Sequence, residues 1–421
     1  MNITVKPSRL IGGEIKAPPS KAQTHRALFT ALLTRGTTTI IHPLRCDDTD
    51  ATERAIVALG ARTSGSTILG VSSDGPEQPR GIIDCGESGV TMRFVIPILS
   101  LVGGERIVTA KESLMRRPIE PLMDALKQLD VSLSVDDRMI RVSGGPTEGG
   151  TVSVRGDVSS QFISGLLLAG VLMKRGMKLE IISPLESRDY VLLTIETLRR
   201  HGVKINVSRD FSLFEMPGSQ EPKPTTHEIS GDYSSASYHL CAAAITRSSL
   251  IVSNLSQTLE PDSVIVDFLA RMGVRTLVND NSVTIYGGGG LKATDVDIRG
   301  CPDLGPILAV LACYADGGKT RITGARRLRY KESNRLASMR SELASLGGKV
   351  EETEDGLLLT GPISLRGGVA QAHNDHRIAM ALAIAALQAK DEITIQGAEC
   401  VNKSYPNFFD DLRSIGVEVV G

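Results

Sequence analysis

Cationic and hydroxyl-bearing residues stand at the starts of segments that are otherwise apolar. Lys21, Thr24, His25 and Arg26 lead into ALFTALL, Ser88, Gly89 and Arg93 into FVIPIL, and Ser159, Ser160 and Gln161 into FISGLLLAG. Asp303, and later Asp375, His376 and Arg377, open two further runs. An apolar run behind a serine or aspartate reads as a buried helix with the polar residue as its cap. The first turn of such a helix presents unbonded N–H groups and a positive partial charge, which suits a phosphate or carboxylate. For Ser159, Ser160 and Gln161 a plain helix cap is an equal reading.

These starts belong to a repeated unit. Six copies of a polar start, an apolar helix, a short break and an alternating strand begin near Ser20, Ser88, Ser159, Tyr233, Pro302 and Asp375. A second helix is expected to begin near Asp47, Arg117, Tyr190, Asp262, Glu332 and Lys403, each ending in a glycine or polar break before a valine-rich stretch. Glycine just past a helix is the usual C-terminal signal. Leu336, Met339, Leu343 and Leu346, at steps of three and four, make the fifth second helix amphipathic. Segments such as KVEETEDGLLLTG from Lys349 and VRTLVNDNSVTIYG from Val274 then read as hairpins. One unit is therefore buried helix, strand, amphipathic helix and hairpin.

A chain of 421 residues is long for one core and points to two domains. The one long Pro/Ser/Thr/Glu-rich break, 217–228, divides the copies three to three. The sixth copy ends one hairpin strand short, and the lone strand at 2–6 is expected to supply it. The expected domains are 12–222, and 1–11 together with 223–421, with crossings near 11–14 and 217–228. An open solenoid would want end caps, whereas here the two chain ends complete each other. If the buried helices of a domain run parallel, their starts converge, and the two domains are expected to face each other across an anion-lined cleft.

Composition narrows the function classes. A formal net charge of -1 offers no electrostatic case for nucleic acid or an acidic membrane. Neither a basic run nor an aromatic stacking series is present. The six cysteines lack zinc-ligand spacing and read as reduced, mostly buried residues of a cytoplasmic protein. The start MNITVKPSRL lacks an apolar signal core. GGGG at Gly287 follows a hairpin strand and makes no dinucleotide-binding turn. No cofactor and no metal are expected.

The segments PPSKAQTHR at Pro18, ESGVTMR at Glu87, RRPIEPL at Arg116, VSSQF at Val158, KESNR at Lys331, NDHRIAM at Asn374 and CVNKSYPNF at Cys400 resemble the 3-phosphoshikimate 1-carboxyvinyltransferase family, also called EPSP synthases. The resemblance spans essentially the whole chain, with the motifs in family order. It implies an α/β fold of two domains, each of three βαβαββ units in an inverse barrel-like arrangement, with ligands in the interdomain cleft. It also implies transfer of an enolpyruvyl group from phosphoenolpyruvate to the 5-hydroxyl of shikimate 3-phosphate. Those two small molecules are the expected partners, with neither nucleic acid nor membrane, and a monomer is expected.

The resemblance assigns residues as well. Around phosphoenolpyruvate it implies Lys21, Gly89, Arg93, Arg117, Gln161, Glu332, Arg335, His376, Arg377 and Lys403. Around shikimate 3-phosphate it implies Lys21, Ala22, Arg26, Ser159, Ser160, Gln161, Ser187, Tyr190, Asp303, Arg327 and Lys331. Asp303 would accept the 5-hydroxyl proton and Glu332 would carry a proton to and from the methylene carbon, with Lys21 and His376 as further proton-handling groups. Taken alone, Asp303 also reads as a helix cap and Glu332 as a first-turn glutamate favoured by the helix dipole.

Several positions depart from the family pattern. Ala22 stands where serine is common, so that Thr24 or water would have to replace a hydroxyl. Glu87 and Val90 alter the glycine segment, and Glu87 beside an anion site is unfavourable without an arginine partner. Asp189 and Arg327 replace a common proline and asparagine. Two competing readings remain. UDP-N-acetylglucosamine 1-carboxyvinyltransferase shares the fold, but its lid cysteine is missing from AKESLMRR. A non-enzymatic repeat scaffold gives no reason for cations at helix starts.

Overall fold

The computed structural model describes residues 1–9, 12–71, 75–256 and 259–421. The chain divides into two compact bodies: an N unit, residues 19–229, and a C unit, residues 1–18 with 230–421.

Each body is built from three copies of one pattern. The buried helices of the N unit are Lys21–Leu32, Gly89–Leu99 and Ser160–Gly170, and those of the C unit are Tyr233–Thr246, Gly305–Tyr314 and His376–Ala386. Every residue of Tyr233–Thr246 and of His376–Ala386 is buried, as their lack of a polar stripe requires. Within the N unit, Gly89–Leu99 and Ser160–Gly170 pack so closely that a Cβ on Gly165 would lie 2.3 Å from the Arg93 carbonyl oxygen. Five of the six helices have side-chain caps: Ser20, Ser88, Ser159, Asp232 and Asp375 each accept a bond from a backbone N–H of the first turn. The fifth copy instead enters through a 3-10 turn, Pro302–Leu304.

Among the described residues there are six four-stranded sheets with one shared order. A lead strand pairs in parallel with the strand leaving the buried helix, and an antiparallel hairpin completes the sheet. The last sheet of the C unit takes Asn2–Val5 between Ile393–Gln396 and Val419–Val420. The first sheet of the N unit takes its lead strand, Thr226–Glu228, from the far end of that unit.

Two parallel pairings, of Glu14–Lys16 and of Thr226–Glu228, move the crossings away from the expected boundaries. Glu14–Lys16 pairs with Leu250–Ser253, which keeps the chain in the C unit as far as Pro18 rather than residue 11. The proline-rich stretch 217–228 is not the boundary, because its end is the strand paired with Thr37–Ile41; the N unit runs on to Ile229 rather than residue 222. Residues 10–11, where the first expected boundary falls, lie outside the described residues.

The second helices are Asp47–Ala58, Glu120–Lys127, Arg188–Arg200, Ile265–Arg271, Arg335–Ser345 and Phe408–Ser414. Arg117, Glu332 and Lys403 thus precede their helices instead of opening them, and Asp262 lies in a 3-10 turn, Pro261–Val264. Pro118 and the cap Asn334 explain two of the displaced starts: the first disfavours the helical region for Arg117, and the second draws the helix start to Arg335. Beyond these helices Gly60, Gly202, Gly273, Gly347 and Gly416 take left-handed backbone, and Asp130 does so in the second copy, where no glycine is present.

All six cysteines are buried, and among the described residues no disulfide joins them. Among the described residues no helix is long and apolar enough to cross a membrane.

Candidate active site

The sequence-predicted residues fall at or near helix starts of both bodies, some of them in the turns that precede a helix. In the N unit, Lys21 is the first residue of its helix, and its Nζ lies 2.9 Å from Asp48 Oδ2 at the start of the next helix. The Arg26 guanidinium is turned into the framework. It donates from Nε to Thr194 Oγ1 at 2.8 Å, and from its two terminal nitrogens to the carbonyls of Ala22 (2.9 Å) and Tyr190 (2.8 Å). It also lies over the rings of Phe94 and Tyr190, at 5.6 and 5.9 Å from their centroids.

A second group gathers around Gly89. A Cβ there would lie 3.2 Å from a terminal nitrogen of Arg93 and 3.3 Å from one of Arg117, so two guanidinium groups approach the same helix start. Both arginines are buried, and Arg93 donates to Gln161 Oε1 at 2.7 Å. Gln161 is in turn held by its backbone N–H on Ser159 Oγ, beside the buried Ser160. Ser187, also buried, takes left-handed backbone (φ 52°) and accepts from the Tyr190 N–H, which sets the entry to Arg188–Arg200.

One expectation about the departures needs correction. Thr24 cannot stand in for a hydroxyl at Ala22: it is buried, donates to the Ser20 carbonyl at 2.8 Å and accepts from the Leu44 N–H at 3.1 Å. Glu87 accepts a 3.0 Å bond from the Ser113 hydroxyl.

The C unit carries a cage of opposite charges. Arg335, 1 % exposed, donates from Nε to Asp375 Oδ2 (2.8 Å) and from its terminal nitrogens to Asp303 Oδ1 (2.8 Å) and Glu332 Oε2 (2.6 Å). Asp303 also meets Lys331 Nζ and Arg377, each at 3.3 Å. Burial works against its charge, but Arg377, Lys331 and Arg335 together hold the Asp303 carboxyl well below the usual carboxylate range. Asp303 is therefore no helix cap; its carboxylate joins the ion cluster.

His376 is buried, with Nδ1 4.0 Å from Asp375 Oδ1, and Lys403 donates to the Asn374 carbonyl at 2.6 Å. Arg327 donates to the Arg299 carbonyl at 2.6 Å. The C unit thus brings Asp303, Lys331, Glu332, Arg335 and Arg377 into one cluster, while Arg327 is bonded to a neighbouring loop.

Sequence reasoning missed three carboxylates. Asp48 partners Lys21; Asp375, taken only as a cap, is the buried counter-ion of Arg335. Asp262 is buried and bonded by the Ser234 hydroxyl, and desolvation with the nearby Asp303 charge pushes it up to about 6. Asp48 follows another aspartate at a helix start, where dipole preference explains both equally well. Nothing in spacing points to Asp262.

Comparison with known proteins agrees with this architecture. A solved EPSP synthase from Acinetobacter baumannii superposes with a TM-score of 0.83 at 26% identity, covering 100% of both chains. Two bodies, each of three βαβαββ copies with arginine-rich helix starts, define the enolpyruvyl transferase class of α/β proteins.

The family description of EPSP synthase (3-phosphoshikimate 1-carboxyvinyltransferase) matches residues 5–412. Proteins named 3-phosphoshikimate 1-carboxyvinyltransferase from Methanocaldococcus jannaschii and Halobacterium salinarum are 37% and 39% identical. The first match covers 99% of both chains and the second 100% of both. This chain belongs to the EPSP synthase family. Membership favours neither the UDP-sugar enzyme nor the scaffold reading.

Proposed function

We propose that this protein transfers the enolpyruvyl group of phosphoenolpyruvate to the 5-hydroxyl of shikimate 3-phosphate, releasing phosphate, as a cytoplasmic enzyme of aromatic amino-acid biosynthesis. Full-length family membership supports the reaction. The observation that carries the chemistry is the cluster of Asp303 with Lys331, Arg335 and Arg377, beside Glu332.

The hydroxyl oxygen adds to C2 of phosphoenolpyruvate while C3 takes a proton, giving a tetrahedral adduct. Loss of a C3 proton and expulsion of phosphate then restore the double bond. Asp303 receives the hydroxyl proton and Glu332 serves the carbon. Within this cage Asp303 is a weak base, because three cations stabilise its charge. Substrate phosphates and carboxylates compete for those cations, and each one drawn away raises the basicity of Asp303 when the hydroxyl is in place. Lys21 and His376 are secondary proton carriers in this reading.

Arg93, Arg117, Arg335, Arg377 and Lys403, with Lys21, Gln161 and the Gly89 backbone, hold phosphoenolpyruvate through charge-assisted bonds. Arg26, Ser159, Ser160, Ser187, Tyr190, Arg327 and Lys331, with Lys21, Gln161 and Asp303, serve shikimate 3-phosphate. For Arg26 and Arg327 the observed bonds to protein carbonyls favour an indirect part, fixing Tyr190 and the Arg299 loop.

The test is phosphate release from phosphoenolpyruvate with either shikimate 3-phosphate or UDP-N-acetylglucosamine. Release with the first alone is expected, and release only with the UDP-sugar rejects the reading.

A further inference from the structure

Four side chains form a hydrogen-bonded bridge inside the N unit. His25 Nδ1 lies 2.7 Å from Thr52 Oγ1, Thr52 Oγ1 lies 2.6 Å from Thr91 Oγ1, and Thr91 Oγ1 lies 2.6 Å from Ser88 Oγ. All four residues are fully buried. The bridge joins three helices: His25 is on Lys21–Leu32, Thr52 on Asp47–Ala58, and Thr91 on Gly89–Leu99, which Ser88 caps.

The direction of donation follows from counting protons. His25 Nε2 has no hydrogen-bond partner among the described residues. If Nδ1 accepted from Thr52, the imidazole proton would sit on Nε2 as a buried donor without an acceptor. A stranded N–H is rarer in proteins than an underused acceptor. The Nδ1–H form strands only a lone pair. Donation then runs from His25 to Thr52, to Thr91 and to Ser88. Ser88 Oγ receives both the hydroxyl and, at 3.3 Å, the backbone N–H of Thr91. Burial, with Lys21 and Arg26 nearby, holds the imidazole in its neutral form.

The position of the bridge ties it to the reaction. Lys21 and His25 are one helical turn apart, as are Asp48 and Thr52 on the neighbouring helix. The Lys21–Asp48 ion pair and the His25–Thr52 bond are therefore successive rungs between the same two helices. From Thr52 the bridge continues to the cap of the helix whose start gathers Arg93 and Arg117.

We propose that His25, as its neutral Nδ1–H tautomer, is a positioning residue for enolpyruvyl transfer, anchoring a bridge that keeps Lys21 and Asp48 in register with the Gly89 helix start. The proposal rests on the function given above. His25 touches no substrate in this account and acts through Thr52, Thr91 and Ser88.

Three variants and one spectrum test it. His25→Leu removes the donor, Thr52→Val breaks the bridge at its middle, and His25→Asn keeps an N–H donor near the place of Nδ1. Calorimetric unfolding identifies the variants that fold. The expected result is a roughly tenfold or larger rise in KM for phosphoenolpyruvate in the His25→Leu and Thr52→Val enzymes, with substantial rescue in His25→Asn. Wild-type KM and kcat in a folded His25→Leu or Thr52→Val protein overturn the proposal, as does a His25→Asn enzyme as impaired as His25→Leu. Imidazole nitrogen shifts of the unmodified protein at pH 7 are expected to show Nδ1–H; an Nε2–H or doubly protonated ring overturns it whether or not the enzyme turns over. Failure of the unmodified protein to release phosphate counts against the reaction instead, and the nitrogen shifts still judge the bridge.

Discussion

Arg335 and Asp375 form an ion pair that water scarcely reaches: Nε donates to Oδ2 at 2.8 Å, with the side chains 1 % and 0 % exposed. Asp375 also caps its own helix through the Arg377 N–H and accepts from the Ser333 hydroxyl. One carboxylate thus ties the KESNR segment to a buried helix start. Asp375→Asn leaves Arg335 with less opposing charge and weakens the cap. Breaking a buried pair on one side costs roughly 3–5 kcal/mol. The expected outcome is a C unit destabilised by that order, read by denaturant unfolding, with a larger loss than for Asp410→Asn, whose own side chain is 75 % exposed.

Removing either proposed proton carrier should separate binding from turnover. Asp303→Ala takes an anion out of a cationic cluster, so calorimetry should show both substrates still bound, while kcat falls by about 10²–10⁴. Glu332→Gln keeps a polar group near Arg335 but cannot exchange a proton with carbon. It should lose turnover and slow deuterium incorporation from solvent into the methylene group. Near-normal turnover in both would reject the pair, and unchanged deuterium exchange in an inactive Glu332→Gln would move the carbon step to Lys21.

Gly89→Ala tests the approach of two guanidinium groups. The added methyl would stand 3.2 and 3.3 Å from Arg93 and Arg117, close enough that both must give by a few tenths of an ångström. Alanine favours the helix, so folding should be intact. The expected loss is about 1.4 kcal/mol of charge-assisted binding, roughly a tenfold rise in KM for phosphoenolpyruvate. An unchanged KM would place the ligand away from this helix start.

A pair of buried histidines sets an acid limit on the N unit. Thr34 donates its proton to the Thr30 carbonyl, so it accepts from His201 Nδ1 at 2.9 Å, and His201 Nε2 accepts from His227 Nε2 at 2.7 Å. Burial lowers His201 to about 4 and His227 to about 3, against an ordinary 6.5. The unfolded chain therefore binds more protons below pH 6.5. The stability the pair supports is present above that pH and is lost as pH falls from 6.5 through about 4 for His201 and about 3 for His227. His227→Gln, which keeps a donor for His201 and removes one titration, should flatten that slope in pH-dependent unfolding. An unaltered slope would assign the acid sensitivity elsewhere.

The six copies, their buried helices and the polar residues at the helix starts are legible in the chain because each depends on neighbours within one or two turns. The same holds for the missing sixth hairpin strand, whose absence pointed to the lone strand at the N-terminus. The departures are tertiary. Asp375 and Asp303 reach Arg335 across 40 and 32 residues of chain, and Lys21 reaches Asp48 across 27. Helix preference explains an aspartate at a helix start equally well whether it serves as a cap or as a buried counter-ion, so only packing distinguishes the two. The unit boundaries likewise depend on long-range pairing: a parallel strand must find its partner through a crossover, and the proline-rich stretch carries no local mark of the Thr226–Glu228 strand that ends it. Residue types and local order determined which groups were available for the chemistry. The tertiary structure decided which carboxylate each cation neutralises, because that choice follows from distance and desolvation after the helices have packed.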